Sequence, residues 1–303
     1  MHDWTPRASA CPLCGSQETR LAFRDNGCSL RVCEICDLFF VDPYPASAGQ
    51  HERVSSGANP DIETLDCERR YAGERLYYDR HFTLIAEECA GARSVLDVGC
   101  GTGHLLERLG ECTDVKRVGI ELNGEAARFA RRVARCEVLE VPIEQFDGEG
   151  KFDVITLVNV FSHIPSLDGL FRSLRGALAP GGRIVMRTSE MRRDVSRWNQ
   201  VHWGIPDDLH FLGLRTLDFV CAKYGFVVAR HIRTPFEEEL FLASRWRQAG
   251  RSRLQNFVKR AVLHVPLGLR AMKALYTAIL GKRLFVSFLV LAPLAGHEPA
   301  ELK

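Results

Sequence analysis

Along the middle of the chain, short apolar runs alternate with longer segments in which apolar residues recur every three or four positions. The runs fall at residues 95–98, 117–121, 137–141, 152–158, 183–187, 226–232 and 284–291, and helical spacing occupies 67–89, 124–134, 167–178 and 214–224. In the first helical segment Tyr71, Tyr78, Phe82 and Ile85 lie on related faces. A run such as Phe152-Asp153-Val154-Ile155-Thr156-Leu157-Val158 is nearly continuous in apolar character, as a strand covered by helices on both faces must be. Strands alternating with helices of this length predict an α/β fold with a doubly wound, mostly parallel sheet of seven strands.

The first run leads into Asp97-Val98-Gly99-Cys100-Gly101-Thr102-Gly103, and a helical pattern opens at His104. Glycines at alternate positions accept positive φ and let a ligand approach bare backbone. The spacing D-x-G-x-G-x-G differs from the dinucleotide fingerprint G-x-G-x-x-G, and its leading acid would repel a pyrophosphate. That acid suits a ligand carrying an ammonium or sulfonium. The next run ends in Glu121, placed at a strand tip to take both hydroxyls of a ribose. On these residues the sequence resembles the class I S-adenosylmethionine (SAM)-dependent methyltransferases. A second segment, from Phe152-Asp153-Val154-Ile155 through His163-Ile164-Pro165 to Leu178-Ala179-Pro180-Gly181-Gly182-Arg183-Ile184-Val185, extends the likeness over roughly residues 70–233.

The resemblance implies a Rossmann-like methyltransferase sheet whose last strand, 284–291, is the antiparallel edge, with SAM as cofactor. It puts the methionine end of SAM over Gly99, Gly101 and Gly103, with Asp97 nearby. Glu121 would hold the ribose with Leu122 beside it, and Asn159, just past the fourth strand, would offer backbone contacts. The acid that meets adenine in the family is missing, because Val141-Pro142-Ile143 stands there. Either Glu140 substitutes for it, or Ile143 and the backbone hold the ring. The helix at 67–89 would pack across the cofactor, making Tyr71 and Tyr78 candidates for a lid; the alternative is an ordinary aromatic core stripe.

Near the N-terminus, Cys11-Pro12-Leu13-Cys14 and Cys33-Glu34-Ile35-Cys36 are separated by 18 residues, the spacing of a structural zinc site. Each pair can grip one metal from a tight turn, and residues 19–23 and 29–32 between them can form a hairpin. Metal thiolates would stabilise a module too small for a good core. Four cysteine ligands complete the tetrahedron, so zinc here is expected to be structural. The following Leu38-Phe39-Phe40-Val41-Asp42-Pro43-Tyr44-Pro45 resembles the exit from the zinc ribbon that precedes many bacterial small-molecule methyltransferases. Cys28, Cys67, Cys89, Cys100, Cys112, Cys136 and Cys221 lack pairing spacing and read as small buried apolar residues.

The expected organisation is a zinc ribbon over 1–45, a linker over 46–66, the SAM-binding core over 67–233, a helical insertion over 234–283, and the final strand and tail over 284–303. The insertion carries apolar stripes at Leu254, Phe257, Val258, Ala261, Val262 and Val265, then at Leu269, Met272, Tyr276, Ile279 and Leu280. Net charge is only +2, yet between Leu240 and His297 ten Lys/Arg stand without an acid. These basic helices, 252–283, suit a cap over the site, a peripheral contact with an anionic membrane, or a nucleic-acid contact. A hydrophobic content of 46% with 26% charged residues is ordinary for a globular protein. Residues 1–7 lack the apolar core of a signal peptide and no run reaches the ~18 apolar residues of a membrane span, so a cytoplasmic location is expected.

After the fifth strand comes a stretch from Trp198 to Leu212 that contains Trp203, His202 and His210, at the sheet edge where doubly wound folds bind ligands. A sulfonium methyl is electrophilic without help, so the protein must hold the acceptor in line and take its proton. His210, His202 and, behind them, His163 are the candidate bases, and a structural role competes for each. The reading is methyl transfer to a small molecule such as a sugar, polyketide, aromatic or lipid-linked metabolite, with O- or C-methylation favoured. Two alternatives are an RNA methyltransferase using the ribbon for recognition, and a non-enzymatic scaffold with a vestigial SAM domain. Confinement of basic charge to one segment, and Asn159-Val160-Phe161-Ser162 in place of an N/D-P-P-Y tetrapeptide, argue against RNA. The complete glycine turn and Glu121 argue against a vestigial site. Nothing in the sequence sets an oligomeric state.

Overall fold

The computed structural model describes residues 10–25, 27–56, 66–194, 205–235 and 284–294. At the N-terminus β1 (Thr19–Asp25), β2 (Cys28–Cys33) and β3 (Phe39–Asp42) form an antiparallel meander. The expected linker is not simply extended chain: α1 (Ser47–Ser55) occupies its first half and buries Gln50. Residues 57–65 lie outside the described residues. Then α2 (Cys67–Cys89) begins, its first turn capped by Asp66, which accepts from the Glu68 amide.

The central sheet follows as β4 (Ser94–Val98), α3 (His104–Cys112), β5 (Lys116–Ile120), α4 (Gly124–Ala134), β6 (Glu137–Leu139), β7 (Phe152–Val158), α5 (Leu167–Ala177) and β8 (Leu178–Met191). After a two-residue strand, β9 (His210–Phe211), come α6 (Thr216–Tyr224), β10 (Phe226–Pro235) and β11 (Leu284–Pro293). Caps mark the helix starts as the sequence would have them. The Asn123 side chain accepts from the amides of Glu125 and Ala126, and Ser166 from that of Gly169.

Seven strands lie in the order β10-β11-β8-β7-β4-β5-β6. β8, β7, β4, β5 and β6 are parallel, while β11 runs antiparallel to both of its neighbours. The last strand is therefore antiparallel as expected but interior; β10 takes the edge. Chain order reverses between β4 and β7, the switch point at which doubly wound sheets open a cleft beyond their carboxyl ends.

Both faces of the sheet are dry. On one, Val95, Val154, Val185 and Phe288 pack against Phe82, Ile85 and Cys89 of α2. On the other, the alternate residues Leu96, Ile155, Ile184 and Leu289 meet Leu170, Phe171 and Leu174 of α5 and Leu217 and Val220 of α6. Period-two alternation with apolar residues on both sides explains the continuous apolar runs. Cys89 and Cys100 are buried as expected, whereas Cys112 is exposed.

The N-terminal meander does not stand apart. β9 completes its sheet in the order β1-β2-β3-β9, pairing Phe39 with Phe211 and Phe40 with His210. The docking is close: a Cβ added at Gly213 would stand 2.0 Å from the Asp37 carbonyl oxygen. Arg193 and Arg215 pair with Asp37, so although burial pushes its carboxyl up, their hydrogen bonds hold it below the usual range. The helical insertion expected over 234–283 lies, from 236 onward, outside the described residues.

Candidate active site

The turn after β4 has the backbone its glycines imply, with φ of +68° at Gly99, +55° at Gly101 and +83° at Gly103. At two of these positions space is also short. A Cβ at Gly99 would lie 2.0 Å from Val160 Cγ2, and one at Gly103 2.9 Å from Ala130 Cα. Two buried acids flank the turn. Glu121 accepts from the amides of Gly101 at 2.9 Å and Asn123 at 2.8 Å, one on each carboxylate oxygen. Each oxygen keeps a lone pair for a further donor, as two ribose hydroxyls would be. Asp97 accepts from Thr156 Oγ1 at 2.6 Å. Burial pushes the Asp97 carboxyl up to about 7 and raises that of Glu121 too. A cationic ligand would offset that cost by favouring the charged forms.

A third acid comes from α2, in a pair that sequence reasoning missed. Arg70 and Glu74, bonded at 2.7 Å, reach over the turn, standing 3.0 Å and 3.2 Å from where a Gly101 Cβ would be. Glu74 also accepts from the Thr102 hydroxyl. Their helical i, i+4 spacing was visible, but nothing local says that it faces the turn. Tyr71, by contrast, is part of the packing. Its ring lies edge-on to His104 and tilted against Phe129, and its hydroxyl donates to Glu107. Tyr71 is half-buried, with its ring and hydroxyl both engaged by neighbours; the Tyr78 side chain lies outside the described residues.

Where the resemblance expects adenine, Ile143 is buried and opens the short turn Ile143–Gln145, while Leu122 is half-buried beside Glu121. Glu140 pairs with Arg131 at 2.8 Å, so its charge is engaged there.

Beyond β7, Asn159 adopts φ +58°, its amide bonds the Arg187 carbonyl, and its Oδ1 accepts from the Arg187 guanidinium. The chain then makes a short turn, Phe161–His163. His163 is partly exposed, with Nδ1 3.0 Å from the Asp207 carbonyl and Nε2 3.7 Å from Asp208 Oδ1. His210 is fully buried: Nε2 faces the Phe161 carbonyl at 2.7 Å and Nδ1 the Tyr44 hydroxyl at 3.0 Å. Burial lowers its pKa to about 3. With both nitrogens engaged and no route to solvent, His210 cannot serve as the base, and that expectation is corrected to a structural role. His202 lies outside the described residues. Of the three histidines, His163 alone is seen at the sheet edge with an accessible ring.

The four cysteines of the N-terminal module converge, their sulfurs all within 4.8 Å of one another. Cys11 and Cys36 are 3.5 Å apart, as are Cys14 and Cys33. A tetrahedral zinc with bonds of about 2.3 Å needs sulfurs about 3.8 Å apart, so the set fits that ion. Each knuckle closes on a left-handed residue, Gly15 at φ +74° and Asp37 at +60°, whose amide bonds back to Cys11 or Cys33.

Sheet order, glycine turn and acid at the second strand tip together define the class I SAM-dependent methyltransferase fold. The chain belongs to the methyltransferase domain family, whose model matches residues 69–231. A ubiquinone biosynthesis O-methyltransferase of Idiomarina loihiensis is 31% identical over 130 residues, covering 40% of this chain and 50% of that protein. Its counterpart in Bordetella avium is 32% identical over 113 residues, covering 34% and 46%. The chain thus spans about half the length of the curated relatives it matches. Among solved structures, the geranyl diphosphate C-methyltransferase of Streptomyces coelicolor aligns with a TM-score of 0.55 at 15% identity, over 82% of this chain and all of that one. The cyclopropane synthase MmaA2 of Mycobacterium tuberculosis gives 0.54 at 18% identity, over 80% and 98%. Both are likenesses of fold.

Proposed function

We propose that this chain transfers the methyl group of SAM to a hydroxyl or acidic carbon of a small-molecule acceptor, with zinc held structurally by Cys11, Cys14, Cys33 and Cys36. The observation that carries the reading is the pair of buried carboxylates, Asp97 and Glu121, on either side of a glycine turn whose backbone is open to a ligand. When bound, SAM supplies a methyl group on a sulfonium, electrophilic without further activation. Glu121 would hold the ribose hydroxyls on its remaining lone pairs, Asp97 and Glu74 would face the cationic end, and Ile143 would lie against the adenine. His163, at the tip of β7, would take the acceptor proton at Nε2, with Asp208 beside it to stabilise the imidazolium. Such a base adds about 10²–10⁴-fold. Relatives named as O-methyltransferases support oxygen as the atom methylated.

The test is turnover of methyl-labelled SAM against a small-metabolite extract and, separately, total RNA, with the product read by mass spectrometry. Label in a small metabolite is the expected result. Label confined to RNA would overturn the acceptor class, and absence of SAM binding by calorimetry would overturn the cofactor.

Among the described residues no helix is long and apolar enough to cross a membrane. Contact with a membrane surface through 252–283 stays a proposal, tested by flotation with anionic vesicles: recovery with the vesicles supports it and recovery in the unbound fraction refutes it.

A further inference from the structure

The segment Asp207-Asp208-Leu209-His210 is held from two sides. The N-terminal module and α1 grip one. The Val41 amide donates to the Leu209 carbonyl at 2.9 Å, the Tyr44 hydroxyl meets His210 Nδ1 at 3.0 Å, and Arg53 of α1 pairs with Asp207. On its other side the segment grips the turn at the tip of β7. The Leu209 amide donates to the Ser162 carbonyl at 2.8 Å, and Ser162 Oγ donates to Asp208 at 2.5 Å. His210 Nε2 reaches the Phe161 carbonyl at 2.7 Å and His163 Nδ1 the Asp207 carbonyl at 3.0 Å.

A carbonyl can only accept, so each ring nitrogen facing one carries the proton. His210 is therefore the Nε2–H tautomer, and the Tyr44 hydroxyl donates to its bare Nδ1. His163 is the Nδ1–H tautomer. Its Nε2 keeps its lone pair, 3.7 Å from Asp208: too far for a hydrogen bond, close enough for a proton arriving there to meet a carboxylate. These contacts touch neither the glycine turn's acids nor His163, yet two groups of the N-terminal module, with Arg53 of α1, set the segment that sets the His163 ring.

We propose that the zinc-ribbon module, together with α1 behind it, is a positioning element of the catalytic centre: Val41 and Tyr44 of the ribbon and Arg53 of α1 fix residues 207–210, and that segment fixes the tautomer and placement of His163. The proposal rests on the function above only for what His163 does. A catalytic group displaced by about 1 Å can cost 10²-fold in rate, so a strut of this kind has chemical consequences without touching substrate.

The experiment uses the full chain labelled with ¹⁵N-histidine, as wild type, Tyr44→Phe and Arg53→Ala. Ring tautomers are read from long-range proton–nitrogen correlations at pH 7.5, and His163→Gln and His210→Gln spectra assign the signals. SAM is titrated into the same samples by calorimetry. In the wild type, His163 is expected as Nδ1–H and His210 as Nε2–H. In both variants the His163 signals move to the averaged positions of an unrestrained ring, while SAM affinity stays within about twofold. His163 keeping its Nδ1–H signature in the variants, or showing Nε2–H in the wild type, would overturn the proposal. Arg53→Ala leaves the ribbon strands untouched and carries the test if Tyr44→Phe does not fold. Failure of the wild type to bind SAM would count against the proposed function instead, and would leave the tautomer readout standing.

Discussion

Replacing Asp97 by Asn should make the ligand-free protein more stable and the SAM complex weaker. Asp97 is 3% exposed at the end of β4. Burial first, and then the nearby charges of Glu74 and Glu121, push its carboxyl up to about 7 against the downward pull of the Thr156 hydrogen bond. Raised that far above the ordinary 3.8 of an aspartate, the ionised form costs the fold about 4 kcal/mol, at about 1.4 kcal/mol for each tenfold of proton affinity. A raised pKa means the folded chain holds the proton more tightly than the unfolded chain. The stability that the protonated acid contributes is thus complete below about pH 4 and lost as pH rises through about 7. Asn keeps an oxygen to accept from Thr156 and carries no charge; an amide N–H left unpaired would take back about 1–3 kcal/mol. The expected gain is about 1–4 kcal/mol at pH 8; by pH 4 it is gone, and any unpaired amide then leaves the variant the less stable by up to about 3 kcal/mol. Urea unfolding followed by tryptophan fluorescence at pH 4.5, 6 and 8 measures it, with SAM titrated calorimetrically at pH 8 in parallel. Equal midpoints at pH 8, or a gap that does not grow with pH, would refute the electrostatic argument.

The same carboxyl predicts that SAM binding takes up ionised Asp97: affinity should rise as pH increases through about 7, with proton release near pH 6 that vanishes by pH 8.5, read by calorimetry in two buffers of different ionisation enthalpy. Gly99→Ala combines a left-handed φ of +68° with a Cβ 2.0 Å from Val160, and should lower stability by about 1–3 kcal/mol and SAM affinity at least tenfold; wild-type binding would contradict the geometry. Gly213→Ala drives a Cβ into the Asp37 carbonyl and should pry the ribbon from the core, seen as faster proteolysis of the N-terminal module. Metal analysis of the wild type should find one zinc per chain, and Cys33→Ser should abolish it and lower the unfolding temperature, with SAM affinity little changed; a zinc-less wild type would remove the metal assignment.

What could be read from the chain was what local physics writes into adjacent residues. The glycine turn is legible because three positive φ angles at alternate positions admit few other residues, and Asp97 and Glu121 because each ends an apolar run. The knuckles are legible for the same reason: a two-residue spacing and a left-handed closing residue are local. The limits of α2 and α4 also follow directly from the pattern. The expected linker went wrong because Ser47–Ser55 has little apolar periodicity of its own; its helix is held by contacts such as the one from Arg53 to Asp207, 154 residues on. Edge and interior strands were interchanged because β10 and β11 differ in their neighbours rather than in their sequence pattern.

His210 shows why the remainder was not legible. A histidine after the fifth strand has the right address for a base, and only the pairing of Phe40 with His210 across 170 residues of sequence reveals that it is sealed under the ribbon. That burial converts a titratable group into a neutral strut with one donor and one acceptor, each with a fixed partner. The strut works because it does not titrate: with its pKa driven down to about 3, His210 keeps the same charge and tautomer across neutral pH. His210 thus holds the turn from the dry interface, and the proton transfer proposed for His163 at its rim falls to a separate ring.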